Sequence, residues 1–188
     1  MRTFIAIELP EDVKAKIFHA FEKLKESNLV RGKFVEKDNL HLTLKFIGEV
    51  PIEKLNEIEK TLENLASKFK NFSCSTGKTG VFPNENHVNS VHIELVSDDD
   101  KLNELQKVIE ESLVKLGIKK DEKNDESFKS HITALRVYVV KNKELFSKKL
   151  NNLHIKEIEF DIENFSLIKS ELTPQGPIYR TIKKFNLK

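Results

Sequence analysis

The chain has 188 residues but only one cysteine, no long apolar run and almost no net charge. The single cysteine, Cys74, excludes an internal disulfide and any metal site built from several cysteines. It lies in an alternation of apolar and polar residues, which favours a half-buried thiol on a strand over a nucleophile. No apolar segment approaches the length of a membrane span, and the first residues lack the layout of a signal peptide. We therefore expect a soluble, cytoplasmic protein with no membrane partner.

Charged residues make up 33% of the chain, but the formal net charge is only +2. Such a balance gives no global field of the kind that drives tight nonspecific binding to nucleic acid, so any contact with nucleic acid should be local. The length suits one domain, or two small lobes that share an interface.

The common signatures of nucleotide cofactors and of zinc are also missing. The chain has no G-x-x-x-x-G-K-[ST] segment and no G-x-G-x-x-G segment after a strand. Neither of the two motifs described next has a second His or Cys at the spacing of zinc ligands. We expect no cofactor and no metal.

Two tetrapeptides of the same form dominate what the chain does contain: His41-Leu42-Thr43-Leu44 and His131-Ile132-Thr133-Ala134. On a strand, successive side chains point to opposite faces, so each copy presents His and Thr on one face and two apolar residues on the other. One such copy is a weak signal, because His and Thr also occur in half-exposed strands for packing reasons. Two copies in a short chain, both in apolar surroundings, favour a functional site.

Two imidazoles that face one groove can catalyse in-line displacement at phosphorus. One neutral ring takes a proton from the attacking water, and the other, protonated, gives a proton to the leaving oxygen. The hydroxyls of Thr43 and Thr133 can donate hydrogen bonds to the non-bridging phosphate oxygens.

Arg136 could add a charge-assisted contact to the same phosphate. Its offset of five residues from His131 is odd, so a regular strand would send Arg136 to the opposite face, and a bulge or a bend is needed to bring it round. The alternative is an arginine at the rim, paired with a surface carboxylate. The remaining histidines lack a following Thr and are interpreted as structural or surface residues; they are His19, His87, His92 and His154.

The periodicity predicts alternating strands and helices. The expected helices begin at Pro10, Pro51, Asp98 and about Lys143, and residues 119–127 are expected to form a mobile loop. The expected strands lie near residues 4–9, 34–35, 40–48, 72–82, 90–96, 131–140, 155–170 and 177–185. Each half carries one His-x-Thr strand, which predicts an α+β fold of two similar lobes related by a pseudo-twofold axis. Antiparallel sheets would form a concave central groove with the helices outside, and residues 1–188 would form a single two-lobed domain.

The segment from Asn39 to Val50 resembles the first signature of the two-histidine (2H) phosphoesterases. Within that superfamily the chain is most similar to the bacterial and archaeal RNA 2′,3′-cyclic phosphodiesterases, also called 2′-5′ RNA ligases. The similarity covers nearly the whole chain. It includes the following segments: Phe4 to Pro10, Gly80 to Pro83, Phe165 to Leu167, and Gly176 to Tyr179.

This resemblance implies hydrolysis of RNA ends that carry a 2′,3′-cyclic phosphate to 2′-phosphomonoesters, with a weak reverse 2′-5′ ligation. It assigns His41 as the proton donor and His131 as the proton acceptor. It also assigns Thr43 and Thr133 to phosphate binding and Arg136 to the substrate. The expected partners are RNA ends or oligonucleotides with a cyclic phosphate, and the expected state is a monomer.

The chain departs from the family pattern in three places. Ser130 replaces the proline that usually precedes the second motif, Ala134 replaces a larger aliphatic residue, and the segment from Asn89 to His92 lacks the usual Arg and Trp. These departures concern the width of the groove and its base preference. Two other functions stay open: a module that binds RNA ends with little catalysis, and an enzyme for small cyclic nucleotides or ADP-ribose cyclic phosphate.

Overall fold

The structure is a computed structural model that describes residues 1–120, 128–153, 155, 157–174 and 176–188. It contains nine strands: β1 (Arg2–Glu8), β2 (Val30–Phe34), β3 (His41–Glu49), β4 (Phe72–Asn84), β5 (His87–Ser97), β6 (His131–Val140), β7 (Glu159–Ile162), β8 (Asn164–Thr173) and β9 (Gly176–Asn186). The helices are α1 (Glu11–Glu26), α2 (Ile52–Ala66), α3 (Lys101–Lys115) and α4 (Lys143–Asn151).

All nine strands belong to one antiparallel sheet with the order β7-β4-β5-β6-β3-β1-β8-β9, and β2 pairs with β6 off this path. The motif strands β3 and β6 are neighbours at the centre. Each continues outward into three further strands, so the sheet consists of two similar halves that curl into a concave surface. The α+β fold predicted from the sequence is confirmed, and the two halves share one sheet through β3 and β6.

The helices pack on the face of the sheet that carries the apolar half of each motif. The apolar stripe of α1 is buried, and so are most of the apolar side chains that recur at helical spacing on α2 and α3. Ile52 differs: it is 72% exposed, because it is the first residue of α2. One buried apolar cluster includes side chains from both halves of the sheet and from all four helices.

Several boundaries differ from the sequence prediction. The strand expected over residues 155–170 is two strands, β7 and β8, which belong to opposite halves of the sheet. The helix expected at Asp98 begins instead at Lys101, because Asp99 and Asp100 have positive φ angles of 48° and 57° that interrupt it. Most of the loop expected over residues 119–127 lies outside the described residues, as does His154.

Cys74 is buried on β4, and burial raises the pKa of its thiol to about 12. The thiol is therefore protonated and unreactive at neutral pH, as expected of a structural cysteine. None of the described helices combines the length and the apolar character required to cross a membrane.

A buried ion pair links the first motif strand to α3. The Lys45 side chain is fully buried, and its Nζ lies 2.8 Å from Glu110 Oε1 and 3.0 Å from the carbonyl oxygen of Lys119. A charge taken out of water needs such partners, because the loss of hydration costs several kcal/mol per ion. The pair thus holds β3 to the helical layer.

We predict that Lys45→Met lowers the free energy of unfolding by about 3–5 kcal/mol, because the buried Glu110 carboxylate loses the ammonium group that lies 2.8 Å from it. Lys45→Met/Glu110→Gln should be less destabilised than Lys45→Met alone. Urea unfolding measures the free energy of unfolding of both variants. Lys60→Met, on the exposed face of α2, is the control. Equal stability of Lys45→Met and the wild type would show that the ion pair does not hold β3 in place.

Candidate active site

The two motif strands present the four predicted polar residues on one face of the sheet. His41 and Thr43 alternate on β3 with Leu42, which is fully buried, and His131 and Thr133 alternate on β6 with the buried Ile132. The polar residues are half-buried and face the concave side, which we call the groove. The alternation predicted from the sequence therefore holds in both strands.

The two strands meet at a single antiparallel pair, Leu42 opposite Ile132. In this register His41 lies across from Thr133, and Thr43 lies across from His131. The two histidines are diagonal neighbours, whose backbones are roughly 7–8 Å apart in an antiparallel pair. The two imidazoles thus lie on the same face of the seam, each followed two residues later on its own strand by a threonine.

The two imidazole rings are fixed in the same way. His41 Nδ1 lies 2.7 Å from the carbonyl oxygen of Asn39, and His131 Nδ1 lies 2.7 Å from the carbonyl oxygen of Lys129. A carbonyl oxygen only accepts hydrogen bonds, so both Nδ1 atoms carry the hydrogen. In each neutral ring Nε2 is then the basic nitrogen, and in His41 it lies 3.0 Å from Thr43 Oγ1. In both rings Nε2 is therefore the nitrogen that can take up a proton.

Aromatic rings surround His41. The ring of Phe4 lies 5.1 Å from it, and Tyr179 packs edge-on at 5.3 Å. Burial lowers the pKa of His41, while the hydrogen bond to the Asn39 carbonyl and the charge of Glu8 oppose this shift. The surroundings thus favour the neutral ring before an anionic substrate arrives.

Glu8 supplies a carboxylate beside His41. It pairs with His41 across the β1–β3 ladder, and its Oε1 accepts hydrogen bonds from Ser166 Oγ at 2.5 Å and from Thr181 Oγ1 at 3.3 Å. These two hydroxyls, from β8 and β9, hold the carboxylate in place on the groove face.

His131 has a different neighbour, a third histidine. The His92 ring is only 5% exposed, stacks on Phe82 at 4.0 Å and meets the His131 ring at 5.3 Å. Gly80 makes room for it, because a Cβ there would lie 2.6 Å from His92 Nε2. Burial and the nearby His131 lower the pKa of His92 to about 4, so it is neutral at pH 7. His131 therefore has an uncharged ring as its neighbour.

Arg136 reaches the groove face because of a bulge. In the β5–β6 ladder His92 pairs with Thr133 but Val91 pairs with Leu135, which leaves Ala134 as an extra residue. Ala134 and Leu135 both enter the core, at 2% and 0% exposure. Arg136 therefore returns to the face of the sheet that also carries His131. Its charge also reaches Tyr179. Burial raises the pKa of the Tyr179 phenol, and the positive charge of Arg136 opposes this rise. The bulge that the odd spacing requires is present.

The first motif strand has the matching irregularity. In the β1–β3 ladder Ala6 pairs with Thr43 but Ile5 pairs with Lys45, so Leu44 is the extra residue. Phe46, five residues after His41, therefore stands where Arg136 stands in the other half, and it is 59% exposed. The two ends of the groove differ: one carries a guanidinium and the other a phenyl ring.

A cavity of about 250 Å³ opens beside His131. Its walls include His92, Glu94, Asn103 and Ser130. A water molecule takes up about 30 Å³ in the liquid, so the cavity has room for several waters next to His131.

The structure thus brings together all five residues singled out from the sequence; these are His41, Thr43, His131, Thr133 and Arg136. Sequence reasoning did not single out His92, Tyr179 or Glu8 as parts of this site. Glu8 and Tyr179 lie in two segments that match the family pattern, Phe4 to Pro10 and Gly176 to Tyr179, and this was the only signal for them. Within the described ranges, no group of three or more His, Cys, Asp or Glu side chains is placed to hold a metal ion.

Paired His-Thr strands at the centre of a two-halved antiparallel sheet define a phosphoesterase fold, and comparison with known proteins identifies the family. The family model of the LigT-like phosphoesterases matches residues 7–92 and 93–179, one His-x-Thr strand in each segment. The chain belongs to this family, a branch of the 2H phosphoesterases.

The curated relatives cover the whole chain. It is 36% identical over 186 residues to the RNA 2′,3′-cyclic phosphodiesterase of Methanocaldococcus jannaschii. The match covers 98% of this chain and 100% of the relative. It is 37% identical over 188 residues to the protein of the same name from Archaeoglobus fulgidus, with 98% and 99% covered.

Solved structures have the same fold. A crystal structure of a Thermus thermophilus protein superposes with a TM-score of 0.84 at 29% identity and covers 100% of this chain and 98% of the other. Escherichia coli LigT complexed with 3′-AMP superposes with a TM-score of 0.78 at 22% identity, with 99% and 97% covered.

The buried His92 makes the fold sensitive to acid. Its folded pKa of about 4 lies below the ordinary value of 6.5, so the unfolded chain binds the additional proton in this interval. Stability therefore falls as the pH drops from about 6.5 towards 4. We predict that His92→Phe, which keeps a ring on Phe82, reduces the loss of unfolding free energy between pH 7 and pH 5 by about 2 kcal/mol.

Urea unfolding at the two pH values measures this difference. His87→Phe, at an exposed position on the same strand β5, is the matched control and should keep the pH dependence of the wild type. An unchanged pH dependence in His92→Phe would mean that His92 is not held neutral by its surroundings.

Proposed function

We propose that the protein hydrolyses RNA ends bearing a 2′,3′-cyclic phosphate to 2′-phosphomonoesters, without a metal or ATP, as a monomeric cytoplasmic enzyme in which residues 1–188 act as one unit. The observation that carries this proposal is the pair of imidazoles, each tied through Nδ1 to a backbone carbonyl, with threonine hydroxyls on the same groove face. The names of the relatives agree with it, since they are RNA 2′,3′-cyclic phosphodiesterases.

In the proposed reaction a water attacks phosphorus from the His131 side. His131 Nε2 takes the proton of the water as the new P–O bond forms. The bond from phosphorus to the ribose 3′ oxygen breaks, and protonated His41 gives its Nε2 proton to that oxygen. The products are a 2′-phosphate and a free 3′-hydroxyl. The departure of the 3′ oxygen, and not the 2′ oxygen, follows from the family resemblance.

The other residues stabilise the phosphorane charge. The Thr43 and Thr133 hydroxyls donate to the non-bridging oxygens, and the Arg136 guanidinium adds a charge-assisted contact. The bound anion also favours the protonated form of His41, which offsets the burial that lowers its pKa. With an RNA 5′-hydroxyl in place of water as the nucleophile, the same displacement breaks the bond to the 3′ oxygen and gives weak 2′-5′ ligation.

A cyclic-phosphate oligonucleotide incubated with the protein in EDTA tests the proposal. We expect conversion to the 2′-phosphomonoester in the presence of the chelator, detected by chromatography of the products. Either His41→Ala or His131→Ala should lower kcat by about 10²–10⁴, the usual contribution of a general acid or base. Loss of product on addition of EDTA would refute the metal-free mechanism, and a 3′-phosphate product would refute the regiochemistry.

A substrate with sulfur in place of the bridging 3′ oxygen separates the two roles in the same assay. A thiolate leaves without a proton, so this substrate should restore much of the activity of His41→Ala but none of that of His131→Ala. The opposite pattern would exchange the two roles. Equal rescue of both variants would mean that neither histidine acts chiefly as the acid.

A further inference from the structure

The strands β2 and β6 continue the groove face beyond the phosphate site as a basic strip. Lys33 of β2 lies directly opposite Arg136 of β6. Further along, Arg31 is exposed and Tyr138 is 66% exposed. We call these four residues the β2–β6 arm. Gly32 allows the close pairing, because a Cβ there would overlap the carbonyl oxygen of Arg136.

A second register irregularity turns the arm outward. Arg31 pairs with Val139 but Gly32 pairs with Val137, which leaves Tyr138 as an extra residue on β6. Val137 and Val140 pack against the core, so Tyr138 points away from it. The phenol ring therefore stands beside cationic side chains on an open surface.

The arm begins at the His41 end of the groove. Because β3 and β6 are antiparallel about Leu42 and Ile132, residues after Thr133 lie on the side of His41 and away from His131. The ring of Tyr179, which packs on His41, also lies within the field of Arg136. The first cation of the arm is thus next to the proposed acid.

The chemistry places the ribose of the substrate at this same end. His41 protonates the leaving 3′ oxygen, so the ribose that carries this oxygen lies on the His41 side of phosphorus, and the water lies on the His131 side. The cyclic phosphate occupies both the 2′ and the 3′ positions. The rest of an RNA chain can therefore continue only from the 5′ side of that ribose.

Charge favours the arm as the path of this chain. No ion pair in the described part of the molecule involves Arg31 or Arg136. At the matched place in the other half, the strand carries the uncharged Phe46. Proteins that bind single-stranded nucleic acid combine cations that follow the backbone with aromatic rings on which bases stack. The arm has both, in a chain whose net charge is only +2.

We propose that the β2–β6 arm binds the nucleotides on the 5′ side of the cyclic phosphate, with Arg31 and Lys33 on backbone phosphates and Tyr138 stacked on a base. The substrate class is then single-stranded RNA of several nucleotides, and mononucleoside cyclic phosphates are poor substrates. This inference rests on the proposed function.

The test compares a hexanucleotide that ends in a 2′,3′-cyclic phosphate with the mononucleoside 2′,3′-cyclic phosphate. Arg31→Glu/Lys33→Glu should lower kcat/KM for the hexanucleotide at least tenfold, mainly through KM, and leave that of the mononucleoside within twofold. The slope of log(kcat/KM) against log[salt] for the hexanucleotide should become shallower by about 0.7 for each phosphate that the variant no longer binds. Tyr138→Ser should reduce kcat/KM for the hexanucleotide about tenfold, as the removal of one stacking ring does.

Lys60→Glu/Lys107→Glu is the control, because it makes the same change of charge at exposed positions on α2 and α3. This control variant should leave kcat/KM for both substrates unchanged. The role of the arm would be overturned if Arg31→Glu/Lys33→Glu lowered kcat/KM equally for both substrates, or if it lowered kcat/KM for neither.

A binding measurement tests whether the arm binds RNA independently of catalysis. Fluorescence anisotropy with a labelled hexanucleotide bearing a 2′-phosphate should show weaker binding to Arg31→Glu/Lys33→Glu than to the wild type. If the wild type turns over neither substrate, the proposed function fails, and this measurement still decides whether the arm holds RNA. Unchanged binding would overturn the inference.

Discussion

The groove depends on one register, in which Leu42 of β3 lies opposite Ile132 of β6. This pair joins two similar halves of the sheet and sets His41 and His131 diagonally across the seam. A shift of one residue in either strand would turn its His and Thr into the core. Burial of Leu42 and Ile132, both at 0% exposure, opposes such a shift. The apolar half of each motif thus fixes the place of the polar half.

The two imidazoles share their anchoring and differ in their surroundings. Each donates Nδ1–H to a backbone carbonyl two residues earlier, which leaves Nε2 for chemistry. Aromatic rings and the held carboxylate of Glu8 surround His41, whereas a neutral His92 supports His131. The bulges repeat as well, but they deliver Phe46 at one end and Arg136 at the other. A nearly symmetric frame therefore gives a groove with two chemically distinct ends, as an asymmetric substrate requires.

The sequence predicts the parts of this site that follow from local alternation. The faces of His41, Thr43, His131 and Thr133 follow from the period of two, and the need for a bulge before Arg136 follows from its odd offset. The pairing of β3 with β6 does not, because it joins residues ninety positions apart through packing that no local pattern encodes. His92 was missed for the same reason: its contact with His131 depends on the register between β5 and β6. The late start of α3 reflects backbone angles at Asp99 and Asp100 that acidic residues near a helix start do not reveal.

The central claim is that His41 and His131 act on one phosphorus atom. Side-chain ¹⁵N NMR during titration with a nucleoside 2′-monophosphate, the mononucleoside form of the proposed product, tests it most directly. We expect the Nε2 resonances of both histidines to move together with one dissociation constant at a stoichiometry of one. Movement of only one of the two resonances, or two separate dissociation constants, would contradict a shared phosphate site.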